Sequence, residues 1–288
     1  MNLPSLFPPV VDEIIRRALA EDIASGDVTT EAIIPIGKKG EALLVARENL
    51  VVAGLPVFAA VFSTIDPGVK VEQLVKDGEW VVAGGVLARI RGEARVILSG
   101  ERVALNFIQR MSGIATRTRA FVEAVPPGCT TKICDTRKTT PGLRVLERYA
   151  VRCGGGWNHR DHLGAGVLIK DNHIACVGSV REAIRRARAW APHVMRIQCE
   201  VDSISQLVEA IEAGADGVLL DNFSDEDIQK AMEVAKGRVF VEVSGGITIE
   251  RIPRIATMGV DVISIGSLTH SARAVDMGID WLEGTKDA

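Results

Sequence analysis

Five basic side chains fall close together in a chain whose formal net charge is −3. Arg137 and Lys138 end the stretch TKICDTRK, His159 and Arg160 follow the glycines Gly154, Gly155 and Gly156, and Lys170 closes the apolar run VLIK. In an acidic protein such a basin calls for a substrate with several negative charges. Arginine presents a planar fork matched to carboxylate or phosphate, and each charge-assisted bond contributes roughly 1.5 to 3 kcal/mol. A lysine ending a buried strand must face a partner or an opening. For Arg137 taken alone, a surface charge at a loop start is the alternative.

Two further sets of residues complement the cations. Glu200 ends the run MRIQCE and Asp221 ends DGVLLD, so each is a carboxylate closing an otherwise apolar segment. Either could instead cap the helix that follows it. Ser244, Gly245 and Gly246 lie between a strand and a helix expected near Thr248, where small residues leave backbone N–H groups open to phosphate. Gly266 and Ser267 repeat the arrangement one unit later, with His270 at hand. No Gly-x-Ser-x-Gly, cysteine–histidine signature or P-loop is present, so the chemistry rests on positioning and charge stabilisation. Carboxylates beside a polyphosphate suit Mg²⁺, which prefers a few carboxylates, waters and substrate phosphates to a full protein cage.

The elements that must hold these groups are short parallel strands. TKICDT and VLIKDN, then MRIQCEV, DGVLLD, VFVEVSGG and VDVISIG, alternate with helical segments, which is the beat of β/α units. The expected strand ends at Glu200, Asp221, Ser244 and Gly266 are 21, 23 and 22 residues apart. In a β/α barrel such ends converge on one mouth, where catalytic groups gather. The absence of a Gly-x-Gly-x-x-Gly turn favours a barrel over a doubly wound dinucleotide fold. Upstream, a helix over Val10–Ala20 precedes strands in EALLVARENL, VKVEQLV and GGVLARIRGE. A long helix from Glu93 to about Val125 follows, interrupted only at Gly113 before the Pro126–Gly128 turn.

Composition excludes several other classes. The chain has 288 residues, 47% of them hydrophobic and 25% charged, enough for a sizeable core and against disorder. A computed pI near 6.0 leaves no footprint for nucleic acid or an anionic membrane. The longest uncharged stretch, Leu50 to Ile65, is broken by Gly54 and Pro56 and is too short to span a bilayer. No basic segment precedes an apolar one at the N-terminus, so a cytoplasmic protein is expected. The five cysteines are scattered without a CxxC pair, which argues against a disulfide framework and a zinc site. His159 and His162, three apart, could share a helical face but lack a matching third ligand.

Nine stretches in order bear a resemblance: EDIASGDVTT (21–30), ERVALNFIQRMSGIAT (101–116), DTRKTTPGLR (135–144), YAVRCGGGWNHR (149–160), LIKDNH (168–173), CEVDSISQL (199–207), VLLDN (218–222), VEVSGGI (241–247) and GVDVISIGSLTHSA (259–272). Together they resemble the quinolinate phosphoribosyltransferases, also called nicotinate-nucleotide pyrophosphorylases. The resemblance implies an α/β fold: an N-terminal open α/β sandwich plus an incomplete, TIM-like α/β barrel of the type II phosphoribosyltransferase kind. It implies a sandwich over residues 1–112, with 272–288 packing on it, and a barrel over 113–271. It also implies a homodimer in which each sandwich closes the other subunit's barrel.

The implied reaction joins quinolinate to phosphoribosyl pyrophosphate with Mg²⁺ and yields nicotinate mononucleotide, pyrophosphate and carbon dioxide. By matching position, Arg137, His159, Arg160 and Lys170 surround the quinolinate carboxylates, Thr136 also binds substrate, and Arg102 reaches in from the second subunit. Lys138 lies toward the diphosphate. Glu200 and Asp221 hold the ribose hydroxyls and the hydrated metal, and Ser244, Gly245, Gly246, Gly266, Ser267 and His270 grip phosphate. Lys138, Lys170, Glu200 and Asp221 are the implied catalytic set. One stretch departs from the family pattern: Asp161, His162 and Ala165 replace an apolar–Gly pair and an aspartate. Two rivals remain at this point. A relative acting on another pyridine acid would lose some of the cations, and a non-catalytic sugar-phosphate-binding barrel would lose Lys170, Glu200 or Asp221.

Overall fold

The computed structural model describes residues 3–282, and the chain divides into two compact units. The first takes the chain up to Arg119, then Thr139–Gly155 and the segment from Leu268; the second takes Ala120–Lys138 and Gly156–Ser267.

In the first unit the helix Pro8–Asp22 opens on proline, where the missing N–H has no intrahelical partner to lose. It buries Val11, Ile15 and Leu19, one per turn, toward the helix Leu55–Ile65. That second helix buries Val57, Phe58, Val61 and Phe62, with the two phenylalanine rings edge-on at 5.2 Å. The unit holds five strands: β1 (Lys39–Ala46), β2 (Leu50–Val51), β3 (Lys70–Gln73), β4 (Trp80–Val81) and β5 (Val86–Glu93), of which β1, β3 and β5 correspond to the three stretches expected from sequence. The run EALLVARENL breaks between β1 and β2, where the Asn49 side chain accepts the Ala83 N–H at 3.0 Å. β1 pairs antiparallel with β5, and β5 with β3, while β2 and β4 form a separate pair.

The helix Ala94–Glu123 runs unbroken for 30 residues, so the expected interruption at Gly113 does not occur. A Cβ there would lie 1.9 Å from the Arg273 carbonyl oxygen. The glycine permits close backbone approach and leaves the helix intact.

The second unit holds β6 (Lys132–Cys134), β7 (Val167–Ile169), β8 (Ile197–Val201), β9 (Gly217–Asp221), β10 (Phe240–Ser244) and β11 (Val262–Ser264). All pair in parallel, in the order β6-β11-β10-β9-β8-β7, and Trp157 adds a single parallel bridge to Cys134 beyond β6. β6 and β7 stay unpaired to each other, which makes this an incomplete barrel. Serine hydroxyls cap three of its helices: Ser179, Ser203 and Ser224 accept N–H groups three residues on. Strand starts are fixed by a recurring device. Asp216 and Asp261, each following a glycine turn, accept the N–H of Ile197 at 2.7 Å and of Val241 at 2.8 Å. The chain then returns to the first unit, where β12 (Met277–Trp281) pairs antiparallel with β1. Residues 283–288 of the expected C-terminal packing segment lie outside the described residues.

Candidate active site

Because the six barrel strands are parallel, their C-terminal ends face one way and carry most of the residues singled out by sequence. Asp221 and Ser244 close β9 and β10, Glu200 is the penultimate residue of β8, and Gly266 follows β11 by two positions. Ser203 and Ser224 cap the helices after β8 and β9, which leaves the Glu200 and Asp221 side chains uncommitted to capping. Lys170, just past β7, donates to the Glu200 carboxylate at 2.5 Å. The Asn222 side chain donates to Asp221 at 2.8 Å.

Across the unit, the segment Asn158–Arg160 is pinned to the end of β6. Asp135 is fully buried and accepts the His159 N–H at 2.7 Å and the Asn158 side-chain amide at 2.6 Å. The Arg160 guanidinium donates to the Gly166 carbonyl at 2.7 Å. Burial, and then the neighbouring charge of Arg137, hold Arg160 below its usual pKa. Two guanidinium groups are therefore set beside each other in half-buried surroundings. Thr136 takes the Lys138 N–H on its hydroxyl at 3.0 Å, which tightens the turn that leaves the Lys138 side chain exposed. His159 accepts the Arg160 N–H on Nδ1 at 2.7 Å, and its Nε2 lies 3.4 Å from Glu242.

The turn after β10 is held in the left-handed region. Gly245 and Gly246 have φ of 90° and 58°, and a Cβ at Gly245 would lie 2.2 Å from the Asn222 side-chain oxygen. Asn222 is itself left-handed, with φ of 57°, and its N–H donates to the Ser244 carbonyl at 3.0 Å. The expected helix near Thr248 begins as a short 3₁₀ turn, Ile249–Arg251, before Ile252–Thr257.

Residues 27–112 match the family described as quinolinate phosphoribosyl transferase, N-terminal domain, and residues 114–280 match its C-terminal domain. The chain belongs to the quinolinate phosphoribosyltransferase family. It is 44% identical over 274 residues to a nicotinate-nucleotide pyrophosphorylase (carboxylating) of Mycobacterium leprae, covering 93% of this chain and 96% of that one. The crystal structure of NadC from Streptococcus pyogenes matches with a TM-score of 0.92 at 44% identity, over 97% of this chain and 100% of that one. The nicotinate-nucleotide pyrophosphorylase structure from Francisella tularensis matches at 0.92 and 39%, over 96% and 98%.

Within this quinolinate phosphoribosyltransferase, Arg102 and His270 belong to the first unit. Arg102 is exposed on the long helix, and His270 is exposed with Nδ1 against the Ser271 hydroxyl at 2.6 Å. His159 and His162 do not share a helical face, because the chain from Trp157 to His162 is not helical. His162 instead accepts the Gly164 N–H at 3.1 Å and caps the exposed turn Leu163–Ala165.

Sequence reasoning missed four side chains that hold the site: Asp135, Asn158, Gln198 and Glu242. Asp135 directly follows an apolar strand, the same signal that singled out Glu200 and Asp221. Glu242 was visible only as a charge between the valines of VEV. In the first unit a further pair went unread: Glu147, almost fully buried, binds Arg110 at 2.5 Å and the Thr140 N–H at 3.1 Å.

Proposed function

We propose that this enzyme transfers the phosphoribosyl group of phosphoribosyl pyrophosphate to quinolinate with decarboxylation, giving nicotinate mononucleotide, pyrophosphate and carbon dioxide for NAD biosynthesis. The observation that carries the reading is the adjacency of Arg137 and Arg160 in a chain of this family. Arg137, Arg160 and Lys170 seat the ring carboxylates, with Thr136 and His159 beside them, and Lys138 is directed to the diphosphate. Ser244, Gly245, Gly246, Gly266 and Ser267 take the phosphate; their support is the pair of open left-handed glycines after β10. His270 joins them, and Arg102 enters the site of a second subunit, on the strength of the resemblance alone.

Lys170 and Glu200 are held as a close ion pair, and Asp221 stands at the end of the neighbouring strand. These carboxylates fit Mg²⁺ bound through water and substrate phosphate. Among the described residues no group of three or more His, Cys, Asp or Glu could hold a metal ion, so a cage of protein ligands is not what this donor set offers. When bound, the ion neutralises charge on the departing diphosphate. The basic groups stabilise the carbanion-like charge left on the ring when carbon dioxide is lost, and no covalent enzyme intermediate is needed.

We assign residues 1–112 and 113–271 to the two domains, with the chain returning to the first from residue 272; the family matches meeting near residue 113 support the first boundary, and the pairing of β12 with β1 supports the return. We also assign a homodimer in the cytoplasm, away from nucleic acid and membranes. The acidic net charge offers no footprint for nucleic acid or an anionic membrane, and no helix among the described residues is long and apolar enough to cross a membrane.

The test is release of pyrophosphate and carbon dioxide on mixing the purified protein with quinolinate, phosphoribosyl pyrophosphate and Mg²⁺, with nicotinate run in parallel. Turnover of quinolinate alone is expected. Turnover of nicotinate, or of neither acid, would move the function to one of the two rivals.

A further inference from the structure

We propose that Glu242, inside β10, is a positioning residue that fixes the tautomer and orientation of His159, and through His159 the placing of Arg160 against the pyridine dicarboxylate. The inference rests on the assignment of Arg160 to a substrate carboxylate.

Glu242 is 3% exposed, between Val241 and Val243, which are buried. A carboxylate in such a strand is costly unless it is bonded. Its Oε2 accepts from the Gln198 side chain at 2.8 Å and faces His159 Nε2 at 3.4 Å. Burial pushes its pKa up, but hydrogen bonds with His159, Ser264 and Gln198 bring it below the ordinary value, so it stays ionised.

The other ring nitrogen decides the tautomer. His159 Nδ1 accepts the Arg160 N–H at 2.7 Å, and a nitrogen that accepts such a bond carries no proton. The ring proton is then on Nε2, the atom that faces Glu242. An acceptor at one nitrogen and a donor at the other select the same form. Asp135 holds the backbone of the segment, and Glu242 faces the ring at Nε2. A cavity of about 520 Å³ lined by His159, Arg160, Gln198 and Glu242 gives the ring room to turn once the carboxylate is gone. A turned ring withdraws the acceptor from the Arg160 N–H and shifts the guanidinium beside Arg137.

Glu242→Gln keeps the shape but offers Nε2 either an amide oxygen or an amide N–H. Its KM for quinolinate is expected to rise roughly tenfold while the KM for phosphoribosyl pyrophosphate stays within about twofold. Glu242→Asp, which keeps the charge, should recover part of the loss. The ¹⁵N spectrum of the His159 ring, assigned by its disappearance in His159→Asn, should show the Nε2-protonated form in the wild type and a mixture in Glu242→Gln. An unchanged ring spectrum in the variant, or KM values for both substrates that move together or not at all, would overturn the proposal. If Glu242→Gln does not fold, Glu242→Asp carries the same two readouts. The ring spectrum needs no turnover. A wild-type protein inactive on quinolinate would therefore sink the assignment of the site, while the spectrum still decides the pairing of Glu242 with His159.

Discussion

Arg137 and Arg160 lie close enough for the charge of one to lower the proton affinity of the other, and Arg160 also loses solvation by its half-buried position. The Arg160 guanidinium donates to the Gly166 carbonyl, while its Nε is buried without a hydrogen-bond partner. Arg160→Ala is expected to lower kcat/KM for quinolinate at least tenfold, about 1.4 kcal/mol. Arg160→Lys should not restore it, because an ammonium cannot reproduce the planar fork. Steady-state kinetics with quinolinate varied at saturating phosphoribosyl pyrophosphate decide the matter, and unchanged constants would remove Arg160 from the site. At this scale the cations were legible because they are out of place in an acidic sequence. Asp135 and Glu242 were not, because their partners, His159 and Gln198, lie 24 and 44 positions away and come together only in the folded sheet.

At the scale of elements, the barrel strands were legible to within about two residues because strands buried on both faces must be continuous apolar runs. The first unit was less so. β2 and β4 have two residues each, too few for a period to show. Gly113 read as a break because glycine is a poor helix former, whereas its place was set by the distant Arg273 carbonyl. Gly245 is the opposite case, a glycine whose turn was visible in sequence and whose need is geometric. With φ at 90° and the Asn222 side chain where a Cβ would go, Gly245→Ala should distort the turn after β10. The expected result is a KM for phosphoribosyl pyrophosphate raised roughly tenfold with that for quinolinate little changed. Equal loss toward both substrates would place the damage in the barrel as a whole.

The segment leading into β12 is tied down by charge. Arg273 pairs with Glu48, which also accepts the Asp276 N–H at 2.7 Å, and these bonds lower the Glu48 pKa from 4.5 to about 2. A carboxyl depressed in the folded state contributes stability above its unfolded value and loses it as pH falls toward the folded one. Glu48→Gln should therefore be less stable than wild type at pH 7, with the gap closing between about pH 4.5 and 2. Because Arg273 is well exposed, solvent screening keeps the effect below about 1 kcal/mol. Urea midpoints at pH 7 and pH 3 test it: the gap should be narrower at pH 3, and a gap of undiminished size there would mean the ion pair is not its source.

At the scale of the whole molecule, neither charge nor periodicity in the sequence says how many chains make one site. A single chain carries its cations, carboxylates and left-handed glycines in the second unit, while Arg102 sits exposed on the first. If Arg102 acts in a second subunit, the two halves of a site can be broken on different chains and repaired by mixing. Arg102→Ala and Lys170→Ala should each be nearly inactive alone. After dissociation and random reassociation, about half of the dimers pair one of each, and in those one of the two sites has an intact barrel and an intact Arg102 from its neighbour. Activity should return to about a quarter of the wild-type value per site. The intact site should also keep the wild-type KM for quinolinate, because every group that touches the ring is present in it. Were Arg102 to serve the site of its own chain, each protomer would remain broken in every combination. Mixing would then restore nothing, and the homodimer would lose its proposed part in the chemistry.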